Sequence, residues 1–110
     1  MKRHRVEWAR AAERDLERLV EFVAADSVQS ALAIAERIEA AAESLSVFPR
    51  RGHAVPELVR LGLNEWLELS VRPWRLVYRV RASRVQVVAV FDGRRDLSDV
   101  LFERLISLDD

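Results

Sequence analysis

The sequence predicts an α+β fold in which an antiparallel sheet packs one face on a helical hairpin. Three observations carry this reading. Two stretches between residues 9 and 47 repeat apolar side chains at helical spacing. Three stretches between residues 65 and 91 alternate from one face to the other, as half-buried strands do. The connections within each set are short, which makes sequence neighbours antiparallel.

Arg3–Trp8 reads as a first strand, with Val6 and Trp8 on one side and Arg5 and Glu7 on the other. Ala9–Ala25 follows as a helix whose apolar stripe is Ala9, Ala12, Leu16, Leu19, Val20 and Val23. Asp26-Ser27 breaks it, and Ser27 is placed to cap the next helix. That second helix runs over Val28–Val47, with Ala31, Leu32, Ala35, Ile38, Ala42 and Leu45 as its stripe. The segment F-P-R-R-G-H-A-V-P (48–56) is a loop, because its prolines and glycine stop a helix. Glu57–Gly62 has room for a single turn.

Glu65–Arg72, Trp74–Arg81 and Val85–Phe91 read as consecutive strands. Leu67, Leu69, Val71, Leu76, Tyr78 and Val80 share the core face. Trp66, Glu68, Ser70, Arg72, Arg75, Val77, Arg79 and Arg81 share the other. Leu97–Leu108 is a short C-terminal helix or tail with Leu97, Leu101 and Leu105 on one stripe. The expected order is therefore β-α-α-β-β-β plus this segment, in one domain spanning residues 1–110. The basic sheet face stays open unless the C-terminal segment or a partner covers it. Leu16, Ile38, Leu69 and Val87 should meet in the core.

Composition narrows the function. Net charge is zero and pI about 6.8, which argues against a general nucleic-acid binder. The charge is unevenly placed, however. Residues 50–95 hold ten Arg against four acids, and the rest of the chain is correspondingly acidic. Arg outnumbers Lys seventeen to one. Arg favours planar, bidentate contacts with carboxylates and phosphates. With no cysteine, disulfides and thiolate metal sites are excluded. No apolar run is long enough to span a membrane. The N-terminus M-K-R-H-R-V-E-W has no apolar stretch behind its basic residues, so a cytoplasmic protein is expected.

Four segments, in this order and spacing, resemble the RelE/ParE family of toxins from bacterial type II toxin–antitoxin pairs. They are V-E-W-A-R-A-A-E-R-D-L, L-S-V-F-P-R-R-G-H-A-V-P-E-L, P-W-R-L-V-Y-R-V and F-D-G-R-R-D. The resemblance implies a small toxin neutralised by a cognate antitoxin. RelE-like members cleave messenger RNA in the ribosomal A site, using basic residues on the open sheet face. ParE-like members share the fold and poison DNA gyrase. In a nuclease reading, Arg75 and Arg95 match the family's arginines, with His53 or Glu68 as candidate acid–base groups.

The chain departs from the nuclease pattern. Trp66 and Glu68 stand where many RelE-like enzymes carry lysines. Leu101, with Phe102 beside it, stands where a tyrosine would sit. Glu68 would also repel a phosphate. The long 48–62 loop and the balanced charge resemble the ParE branch. The expected function is thus a ParE-like gyrase inhibitor with no catalytic residue. It should work without cofactor or metal, bound by an antitoxin, with a ribbon-helix-helix type favoured, in a hetero-oligomer. Operator DNA would be reached only through the antitoxin. Trp66, Arg72, Arg75, Arg79, Arg94 and Arg95 are the candidate partner-binding residues. The alternatives are the ribosome-dependent nuclease and a non-toxic partner acting in antitoxin and repressor assembly. His53 and His4 read as solvated or incidental, Tyr78 as core.

Overall fold

A computed structural model describes residues 3–94, 98–106 and 108. The chain forms β1 (Arg5–Trp8), α1 (Arg10–Ala24), α2 (Val28–Ser44), β2 (His53–Ala54) and α3 (Pro56–Val59). It continues as β3 (Trp66–Val71), β4 (Trp74–Arg81), β5 (Arg84–Asp92) and α4 (Ser98–Ile106). The α+β architecture is the expected one. The 48–56 loop adds a two-residue strand, and the expected turn after it is the short helix α3. Leu97, expected to open the last helix, lies outside the described residues.

Ser27 caps α2 as its sequence context predicts, its Oγ accepting from Ser30 N at 3.1 Å. α1 starts from an extended Ala9 without a side-chain cap. Its burial against α2 and β5 therefore has to hold it.

The five strands lie in the order β1-β5-β4-β3-β2. Three of the four pairings are antiparallel, and β1 joins parallel to β5. The sheet is therefore mixed, where all-antiparallel pairing was expected. The helical hairpin is the crossover that makes a parallel β1 possible. Between Val77 and Tyr78 the β4–β5 register slips, from Val77↔Ala89 to Tyr78↔Val87. Val88 is the extra residue of a bulge. The bulge resets the alternation of β5, so Val87 and Val90 face the hairpin while Val88 and Ala89 face away.

Both faces of the sheet are covered. Under the hairpin lies the larger core, with Ile38, Leu45, Leu69, Leu76, Tyr78 and Val87 buried and Leu16 packed against them. The four residues expected to meet do so. Leu32 does not join them, being 59 % exposed on the outer side of α2. On the opposite face α3 and α4 close a second core of Val55, Leu58, Trp66, Val77, Val88, Ala89 and Leu101. The C-terminal segment thus covers much of the face that alternation alone left open. Among the described residues, no helix is long and apolar enough to cross a membrane.

Candidate functional site

The basic sheet face holds a buried cluster of charge. Arg75 on β4 lies opposite Ser70, and Glu68 is two residues back along β3 on the same face. The Arg75 side chain reaches diagonally, Nε donating to Glu68 Oε2 at 2.9 Å and Nη2 to Oε1 at 2.8 Å. Glu57 comes from above, on α3. Arg75 Nη1 and Nη2 donate to its Oε2 and Oε1, each at 2.7 Å. One guanidinium thus holds two carboxylates, each in the planar fork geometry that arginine favours. All three residues are buried, at 9 % exposure or less. The Glu57 hydrogen bonds, then those of Glu68, hold the Arg75 pKa well above the usual arginine range. Arg75 is charged at every physiological pH.

Local sequence explains how Glu57 gets there. Val55 N–H donates to Trp66 O at 3.1 Å, extending the β2–β3 pairing by one step. Pro56 then starts α3, where its missing N–H costs nothing. Val55 and Leu58 anchor the turn in the second core, which aims Glu57 at Arg75.

An open groove of about 700 Å³ leads to this cluster. Arg60, Arg72 and Arg94 are exposed along it, with His53. Arg94 is tied to its own corner: its N and Nε donate to Asp92 Oδ1 at 2.9 and 3.1 Å, and Nη2 to Oδ2 at 2.8 Å. Gly93 permits that corner, because a Cβ there would sit 2.8 Å from Pro73 O. His53 Nε2 is 3.9 Å from Glu68 Oε2, and its side chain is largely exposed. Gly52 N–H donates to Tyr78 Oη at 3.0 Å. Any Cβ on Gly52 would strike Glu68 O and that hydroxyl, so glycine is required by close approach.

Trp66 and Arg79 are placed apart. Trp66 is buried at 4 % exposure, and Arg79 stacks on its ring at 4.8 Å while donating to Gln86. Arg72 is exposed at the groove rim. Arg95 lies outside the described residues. Sequence reasoning missed Glu57, Asp15 and Arg104. In the sequence Glu57 merely follows the 48–56 loop, and only the fold brings it to Arg75. Among the described residues, no group of three or more His, Asp or Glu is arranged to hold a metal ion.

The geometry leaves Arg75 held by two carboxylates. A family model for the ParE toxin of the type II toxin–antitoxin system parDE matches residues 6–97. The chain belongs to the ParE family of type II toxins. It is 36 % identical over 85 residues to Toxin ParE3 of Caulobacter vibrioides, covering 76 % of this chain and 81 % of that one. Its fold is similar to that of a chromosomal ParDE system from P. aeruginosa, with a TM-score of 0.64 and 19 % identity over 81 % of this chain and 95 % of the other. It is also similar to the RelBE2 toxin–antitoxin complex of Mycobacterium tuberculosis, with a TM-score of 0.58 and 23 % identity. That match covers 84 % of this toxin and 93 % of the other chain. These two likenesses concern the fold alone.

Proposed function

We propose that this ParE-family toxin stops growth by inhibiting DNA gyrase without chemistry of its own, and that a cognate antitoxin neutralises it. The observation that carries the reading is the Glu57–Arg75–Glu68 cluster. Its two carboxylates occupy the guanidinium edges that would stabilise a phosphoryl transition state. They also place negative charge where a scissile phosphate would have to approach.

Antitoxin capture is supported by a second surface. A groove of about 450 Å³ runs between α1, the end of β5 and α4, with Leu19, Phe22, Trp74, Phe91 and Val100 along it. Phe22 is 77 % exposed. An amphipathic antitoxin segment would cover these apolar side chains.

Purified toxin should block gyrase supercoiling, and added antitoxin should restore it. Expression without antitoxin should give filamentation and DNA damage while translation continues at first. Cleavage of ribosome-bound messenger RNA with gyrase unaffected would overturn the reading.

A further inference from the structure

A row of arginines crosses the end of the sheet away from the cluster. Arg5 on β1 pairs in register with Arg84 on β5, and Arg84 pairs with Arg81 on β4. All three are exposed. Like charges directly opposite on neighbouring strands destabilise a sheet. Glu7 offsets this only in part, its Oε1 lying 3.5 Å from Arg84 Nη1 at a well-solvated site.

The row opens onto a groove of about 380 Å³ lined by Glu7, Arg79, Arg81, Arg84 and Gln86. Gln86 also lines an adjoining groove of about 360 Å³, where α1 adds Arg10 and Arg14. Glu7 is the one carboxylate among the described residues lining either groove. None of the exposed large apolar side chains lies along them.

We propose that this strip, Arg5–Arg84–Arg81 extended by Arg10 and Arg14, binds the phosphate backbone of duplex nucleic acid. A protein partner would need apolar anchors, which the strip lacks. Unpaired bases would need exposed aromatic rings to stack on, and Trp66 is buried beneath Arg79. Several arginines on neighbouring elements, facing two grooves that hold a single carboxylate among the described residues, suit a phosphate ridge. Such binding reads no sequence, so it differs from operator recognition, and it stands apart from the gyrase reading. The chain's zero net charge keeps it weak and strongly salt-dependent.

The test is fluorescence anisotropy of the full-length free toxin with a labelled DNA duplex of arbitrary sequence. Binding should fall steeply between about 50 and 200 mM salt, with a log–log slope of about −3 to −4 for three or four neutralised phosphates. Arg5→Gln with Arg81→Gln should weaken binding by about tenfold or more and flatten the slope by about two. Its melting temperature should hold or rise, because repulsion has been removed. Glu7→Gln should tighten binding, and Arg50→Gln, exposed in the 48–56 loop, should leave it unchanged. Equal binding of an RNA duplex supports backbone contact. No binding at low salt, wild-type binding by the double variant, or preference for single-stranded DNA or polyglutamate would each overturn the proposal.

Discussion

Asp15 of α1 and Arg104 of α4 form a buried ion pair across the β5 bulge. Arg104 Nη1 and Nη2 donate to Asp15 Oδ2 and Oδ1 at 2.8 and 3.1 Å. The same Asp15 Oδ2 accepts from Val90 N at 3.0 Å, and Arg104 Nη1 also donates to Val88 O at 2.9 Å. The pair thus satisfies backbone groups of β5 that lie beyond the residues paired with β1. It also fastens the last helix to the first.

Replacing Asp15 by Ala should therefore destabilise the fold by roughly 3–5 kcal/mol, since Arg104 and the Val90 N–H would both lose a buried partner. Urea unfolding measures this. A loss below about 1 kcal/mol would mean that Leu101 and Leu105 alone hold α4.

Arg75→Met should cost a similar ~3–5 kcal/mol, because it leaves Glu57 and Glu68 facing each other in a buried site. Adding Glu57→Gln and Glu68→Gln should recover most of that loss. Gyrase inhibition should survive in the folded triple variant if the cluster serves structure and not catalysis. Lost inhibition at unchanged stability would place the cluster in target contact.

Tyr78 is the chain's one tyrosine, so tyrosinate absorbance reports it alone. Burial pushes its pKa up, while the Gly52 N–H and the charges of Arg50 and Arg51 act in the opposite direction. The folded state thus favours the neutral phenol. Its contribution is complete below the unfolded value of about 10 and declines as pH rises past it. Denaturant stability should fall with pH in that alkaline window, and Tyr78→Phe should flatten the fall. A Tyr78 titration at the ordinary value in the native protein would refute this.

The two cores can be tested together. Ile38→Ala beneath the hairpin and Leu101→Ala beneath α4 should each cost about 2–5 kcal/mol. Leu32→Ala should change stability by about 0.5 kcal/mol or less, as an exposed position does. A large Leu32 effect in the isolated toxin would contradict the observed helix face.

Alternation and periodicity made the longer strands and helices legible to within about three residues at their ends. Trp74–Arg81 matches β4 at both ends, and the face bearing Arg75 and Arg79 is the one expected. What covers that face was not legible. Parity says which way Trp66 points, but not that α3 and α4 will bury it. Leu32 fits an i, i+3 stripe by type, yet the hairpin's crossing leaves it outside. The Asp15 ion pair joins residues 89 positions apart, and the spacing of α1 does not single Asp15 out as buried. Its only local hint is the aspartate before Leu16 in the family-like helix start.

The parallel pairing of β1 with β5 also orders events during synthesis. Residues 5–8 wait for residues 84–87 before they have a strand to join. The hairpin and the β3–β4 pair can form earlier, from contacts closer in sequence, but the sheet edge closes only with the last strand. Asp15 waits longer still, for Arg104. A nascent chain therefore has no complete sheet until nearly all of it has been made.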